Sequence, residues 1–134
     1  MKHFSITELT ASLTARRLRI DNTPTADAIA NITLLVDNVL DPLREAFGKP
    51  ITVNSGYRCP ALNAAVGGSA TSQHLRGEAA DITAGSSDAN RRLYTLLREL
   101  GLPVDQAIDE HGFSWIHVSH TRGHNRRQFF SISR

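Results

Sequence analysis

A long segment of helical apolar spacing is the strongest structural signal in this chain. From Ile29 to Phe47, apolar residues recur three and four positions apart, which predicts an amphipathic core helix. Thr23 and Pro24 resemble a helix start, with the threonine as N-cap and the proline in the first turn. Pro42 lies inside the segment and predicts a kink or a break.

Shorter segments indicate the class of the fold. Short helices are expected near Ile6, over Pro60–Val66 and from Ser87 or Asp88 to about Leu100. Strands are predicted at Ile51–Val53, Glu78–Thr83, Gln106–Glu110, Trp115–Ser119 and Gln128–Ile132. Helices early in the chain followed by such strands favour an α+β fold, in which N-terminal helices pack on a small antiparallel sheet. The 134 residues fit a single domain, 1–134.

The formal net charge of +2 is unevenly distributed along the chain. Four arginines crowd the C-terminal segment: Arg122, Arg126, Arg127 and Arg134. They form either a solvated basic face or a surface that attracts an anionic polymer, nucleic acid or bacterial cell wall. Aromatic residues make up only 6% of the chain, which gives little support for a base-stacking platform. Because no groove-reading motif is present either, we expect no nucleic-acid partner.

Cysteine usage and hydropathy exclude several other classes. Cys59 is the only cysteine, so neither an intrachain disulfide nor a CxxC pair can form. The N-terminus has no apolar run of signal-peptide length, and no window approaches the roughly 18 apolar residues of a membrane helix. We therefore expect a protein made in the cytoplasm without a signal peptide and not inserted in a membrane. A monomer is expected, since no partner face stands out.

A histidine and an aspartate close together give the first chemical signal. In Ser72–Asp81, His74 precedes Asp81 by seven positions. If Gly77, Ala79 and Asp81 alternate along one strand, they share a face, and the two small residues leave space around the carboxylate. A close-packed strand with a capping aspartate explains the same pattern.

His117 strengthens the metal interpretation. It lies in an alternating strand and completes a set of two histidines and one carboxylate with His74 and Asp81. Catalytic zinc commonly has three protein ligands and a water in the fourth position, and it lowers the pKa of that water to about 7.

Such a site also needs a general base, and Asp109 and Glu110 flank the predicted hairpin turn. A loop of two or four residues places Glu110 opposite Trp115 and on the face of His117, while Asp109 points away. A loop of odd length reverses this arrangement, because a slip of one residue exchanges the faces of a strand. The even loop favours Glu110, and Asp109 remains the alternative.

Three stretches of the chain resemble a known family. SQHLRGEAAD (Ser72–Asp81) matches the SxHxxGxAxD motif of the zinc D,D-peptidases, peptidase family M15. WIHVS, around His117, resembles the strand of the second zinc histidine, and SGYRCPALNAAVGG (Ser55–Gly68) resembles the segment upstream of the motif. The resemblance extends from about Phe4 to Phe129 and is closest to a branch found in phage and bacterial genomes. It implies the hedgehog/D,D-peptidase fold.

The resemblance implies a zinc metallopeptidase that hydrolyses amide bonds in peptidoglycan stem peptides. The activity would be that of a D,D-carboxypeptidase or an endopeptidase, as in a phage endolysin. Arg58 would bind the substrate and stabilise its developing oxyanion, and Ser72 and Gln73 would contact the substrate. The Zn²⁺ ligands would be His74, Asp81 and His117. From their aromatic character, Tyr57 and Trp115 line the substrate groove or pack in the core.

One position departs from the family pattern. Many relatives carry an acidic residue three positions before the second zinc histidine, where this chain has Ser114. Either Glu110 replaces that residue, or the chain is a zinc-stabilised, catalytically inactive module that binds the cell wall. An enzyme would act on the wall after release by phage lysis or as part of a virion.

Overall fold

The computed structural model describes residues 1–133, which form an α+β fold. Its α-helices are α1 (Ile6–Thr10), α2 (Leu13–Leu18), α3 (Ala26–Leu35), α4 (Asp41–Phe47), α5 (Pro60–Ala65) and α6 (Ser87–Glu99). Its strands are β1 (Thr52–Ser55), β2 (Ala79–Thr83), β3 (Gln106–Glu110), β4 (Trp115–Ser119) and β5 (Gln128–Ile132). Arg134, one of the four C-terminal arginines, lies outside the described residues.

The predicted long helix is present but divided. A π-helical segment, Val36–Leu40, joins α3 to α4. Pro42 stands at the start of α4, directly after the π-helical segment, in which the backbone N–H of Asp41 donates to the Val36 carbonyl oxygen. The predicted break therefore takes the form of a π-helical turn before the proline.

The predicted helix start at Thr23 and Pro24 is wrong. Thr25 is the N-cap of α3, and its side chain accepts a hydrogen bond from the backbone N–H of Ala28 at 3.1 Å. Thr23 belongs to the preceding turn, because its backbone N–H and its hydroxyl both donate to Asp21. This local turn, an Asx-type arrangement, competes with helix formation and delays the start.

The five strands form one sheet in the order β1-β2-β4-β3-β5. The β3–β4 hairpin has a loop of four residues, one of the two even lengths considered from the sequence, and Glu110 pairs with Trp115 while Ile108 pairs with His117, as predicted for either length. The predicted last strand is also present. However, β5 runs parallel to β3, so the sheet is not wholly antiparallel.

The two faces of the sheet have different roles. One face contributes buried apolar side chains to the core beneath the helices: Ala80, Ile82, Ala107, Ile116 and Val118. Asp81 on β2 pairs directly with His117 on β4, so both side chains project from the opposite face. Within residues 1–133, no helix combines the length and the apolar character needed to span a membrane.

Gly77 does not lie on a strand with Ala79 and Asp81, as the alternation predicted. It ends a 3₁₀ helix, Gln73–Arg76, with a left-handed φ of 74°. A Cβ at this position would lie 2.7 Å from the backbone oxygen of Ala28 in α3. The glycine is thus needed for close packing of the turn against a helix and not for space beside the carboxylate.

Candidate metal centre

The three predicted metal ligands lie together on the open face of the sheet. One ligand atom from each of His74, Asp81 and His117 lies within 4.8 Å of the other two. Asp81 Oδ1 is 3.4 Å from His74 Nε2 and 3.1 Å from His117 Nδ1. Two imidazoles and a carboxylate form a donor set that suits catalytic zinc, which commonly takes three protein ligands. The arrangement therefore fits a zinc ion.

His74 is held in place by the backbone before α5. Its side chain is buried, and its Nδ1 lies 2.7 Å from the carbonyl oxygen of Gly56. A carbonyl can only accept, so Nδ1 carries a proton and Nε2 is the ring nitrogen that faces the candidate metal centre. This is how a metal-binding histidine is usually oriented.

The environment of Asp81 favours the ionised carboxylate. Burial alone would raise the pKa of Asp81, but hydrogen bonds from His117 and His74 outweigh it and hold the pKa well below its ordinary value. The carboxylate is thus available as an anionic ligand at neutral pH.

A cavity of about 610 Å³ opens over these three residues. Of the residues that line it, only Asp81 and Glu110 carry carboxylates within the described chain. Glu110 accepts a hydrogen bond from Trp115 Nε1 at 3.2 Å, and the ring of His111 lies 4.9 Å from that of Trp115. The end of the β3–β4 hairpin therefore supplies one carboxylate that is not among the candidate metal ligands.

Arg58 lines the cavity at the side of β1. Its Nη2 lies 3.7 Å from Asp81 Oδ2, and its other nitrogens donate to Ser55 and Asn63. These contacts fix the guanidinium beside the candidate metal centre. A fixed positive charge at this place can bind a carbonyl or a carboxylate.

Ser72 and Gln73 also line the cavity, but each has a structural bond. Ser72 Oγ accepts from the backbone N–H of His74 at 3.2 Å and so caps the 3₁₀ helix. Gln73 Nε2 donates to Asp105 Oδ2 at 3.0 Å. Their predicted contact with substrate remains a prediction.

Three residues considered from the sequence lie away from the cavity. Tyr57 is 4% exposed and packs in the core. Asp109 is 6% exposed and accepts hydrogen bonds from the backbone of Phe113 and from Ser131 Oγ. Ser114 donates its hydroxyl to the His111 carbonyl oxygen at 2.6 Å, which engages it within the turn.

Several residues of the cavity were not predicted from the sequence, Gln106 and Arg126 among them. Arg126 forms a salt bridge with Asp105. Arg126 was noted only as part of a basic segment. No motif could have identified it, since its position depends on where β5 joins the sheet.

The fold and the donor set fit a metal-dependent hydrolase. A family model described as Peptidase M15 matches residues 2–119, so the chain belongs to the peptidase M15 family. The chain is also similar to a zinc D-Ala-D-Ala carboxypeptidase from Streptomyces albus G. The two are 39% identical over 87 residues, which are 64% of this chain and 29% of that protein. The match thus spans less than a third of that relative.

Proposed function

We propose that this protein is a zinc-dependent peptidase that hydrolyses amide bonds in peptidoglycan stem peptides. The observation that carries the proposal is the cluster of His74, Asp81 and His117 at the floor of a cavity that also holds Glu110 and Arg58. Membership of the peptidase M15 family and similarity to a D-Ala-D-Ala carboxypeptidase support the substrate class.

The residues of the cavity have distinct roles in this proposal. Zinc held by the three ligands would supply a Lewis acid that activates water at neutral pH. Glu110 would accept the proton of the attacking water and return it to the leaving amine, as a general base and then a general acid. Arg58 would stabilise the negative charge that develops on the carbonyl oxygen. Trp115 would form one wall of the substrate groove and hold Glu110 through its Nε1.

The test is digestion of purified peptidoglycan by metal-loaded protein and by chelated protein, with the products identified by mass spectrometry. Zinc-dependent release of defined peptides is expected. The masses of the products also identify the bond, and so distinguish a D,D-carboxypeptidase from a D,D-endopeptidase or an L-alanyl-D-glutamate endopeptidase. Protein that holds one zinc and releases no peptide would overturn the proposal.

A zinc-stabilised module that binds the cell wall without turnover is the second candidate. It is favoured by Ser114, which is engaged in the turn and does not line the cavity. Glu110→Gln separates the two functions. In an inert module the variant should bind peptidoglycan like the wild type, and wild-type protein should release no peptide.

We further propose that the enzyme acts on the wall as a monomer, in the manner of a phage endolysin. Size-exclusion chromatography with light scattering tests the oligomeric state. Loss of turbidity when the protein is added to permeabilised bacteria tests the endolysin-type action, and a chelated sample is the control.

A further inference from the structure

Arg126 is a cationic residue of the cavity that the proposed reaction does not use. It lies outside the part of the chain that the family model matches, which ends at residue 119. Its side chain is 48% exposed and lines the same cavity as the three candidate metal ligands. An arginine at this place needs a physical explanation.

Asp105 holds one edge of the Arg126 guanidinium. Asp105 Oδ1 accepts from Arg126 Nε at 3.0 Å, and Oδ2 accepts from Nη2 at 2.7 Å. The backbone N–H of Arg126 also donates to Asp105 at 3.0 Å. Within residues 1–133 these bonds leave the Nη1 donors without a partner. Two-point pairing of this kind fixes the plane of the guanidinium as well as its position.

Asp105 is a rigid anchor for this arrangement. Its side chain is only 4% exposed, and its Oδ2 also accepts from Gln73 Nε2, next to His74. Hydrogen bonds from Arg126 lower the pKa of Asp105 to about 2, although burial acts in the opposite direction. The carboxylate therefore stays ionised and paired over the whole neutral range.

The order of the strands places the two arginines on opposite sides of the metal centre. Arg58 follows β1 at one edge of the sheet, and Arg126 precedes β5 at the other edge. Asp81 and His117 lie on β2 and β4, two of the three strands between them. A peptide across the cavity would have one guanidinium beside the reacting amide and a second one farther along its chain.

We propose that Arg126 binds a second carboxylate of the peptide substrate, one that is not at the amide bond to be cleaved. Asp105 is the positioning residue that aims the guanidinium into the cavity. The preferred substrate class is then an anionic peptide with a free carboxylate on a side chain or branch. This inference rests on the proposed peptidase function and extends it to specificity.

The test compares two synthetic stem peptides that differ only in one group: a free branch carboxylate or the corresponding carboxamide. Wild-type enzyme should show a kcat/KM about tenfold higher for the carboxylate, as expected for one charge-assisted hydrogen bond at a half-exposed site. In Arg126→Gln this ratio should fall to about one, mainly through KM. Arg127→Gln is the matched control, because Arg127 donates to the Gly101 carbonyl oxygen and does not line the cavity.

A second variant guards against loss of folding, since Arg126→Gln leaves the buried Asp105 carboxylate without its charged partner. In Asp105→Asn combined with Arg126→Gln, two neutral amides can still bond each other, and the ratio should again be about one. A kcat/KM ratio that stays near tenfold in either folded variant would overturn the proposal. An equal loss of the carboxylate preference in Arg127→Gln would also overturn it.

Binding separates this inference from the proposed function. Titration calorimetry of both peptides against zinc-loaded protein measures the carboxylate preference without turnover. If wild-type protein cleaves neither peptide but binds the carboxylate about tenfold more tightly through Arg126, the peptidase proposal fails and the recognition site stands. If it cleaves both with no preference, the peptidase proposal stands and the role of Arg126 is refuted.

Discussion

Replacing Glu110 by glutamine is the sharpest test of the chemistry. Glutamine has nearly the same shape, and its side-chain oxygen can still accept the bond that Trp115 donates at 3.2 Å. The fold and the metal centre should therefore be retained, while the base is lost. Positioned general bases contribute about 10²- to 10⁴-fold to rate, or roughly 3–5 kcal/mol in the barrier. No other carboxylate among the described residues lines the cavity except Asp81, a candidate ligand, so little compensation is expected.

Asp109→Asn is the matched control, because Asp109 is the neighbouring residue and its side chain points into the protein. It accepts bonds from the Phe113 backbone and from Ser131. Asp109→Asn should lower the free energy of unfolding by about 1–3 kcal/mol and leave the turnover of folded enzyme within a few-fold of wild type. The assays are kcat on a defined stem peptide, metal content and urea unfolding. If Glu110→Gln retained a third or more of the wild-type kcat, Glu110 would not be the base.

Four further outcomes are expected. Loss of any one donor of the metal centre should sharply weaken zinc affinity in a chelator competition, in these variants: His74→Ala, Asp81→Ala and His117→Ala. Arg58→Ala should keep the metal but lower kcat by about 10²-fold or more, and an unchanged kcat would exclude Arg58 from the mechanism. Because the pKa of Asp105 falls from 3.8 to about 2 on folding, its stabilising effect is complete above about pH 5 and is lost as the pH drops from there through 2. In urea unfolding, the free energy of unfolding of the wild type should fall by about 1–2 kcal/mol on acidification, a figure that allows for the solvent exposure of Arg126. Asp105→Asn should lack this fall. Gly77→Ala should cost at least about 1 kcal/mol more than Gly67→Ala, because both have positive φ but only Gly77 faces a backbone oxygen.

The register of one hairpin made much of this site predictable from the sequence. Side chains alternate along a strand, so the length of the turn alone decides which of two neighbouring acids shares the face of His117. The four-residue loop places Glu110 on that face and buries Asp109. His74, His117 and Asp81 could also be predicted from the sequence, because their residue types and spacing indicate a metal site. The prediction for Gly77 failed because it assumed that the strand, with its alternating side chains, already includes this residue. The strand begins at Ala79, and Gly77 ends the preceding 3₁₀ helix.

Arg126 illustrates what the sequence could not give. Its place in the cavity requires β5 to join the sheet parallel to β3, so that Arg126, two residues before β5, lies beside Asp105, the residue before β3. Such pairing is a non-local property, and a cluster of arginines looks the same in the sequence whether its members are solvated or paired. The structure divides the described members of that cluster, since Arg122 and Arg127 bond to Asn31 and Gly101 and, of these three arginines, only Arg126 lines the cavity. Under the proposal for Arg126, the described part of the basic segment supplies one directed contact with the substrate together with structural bonds.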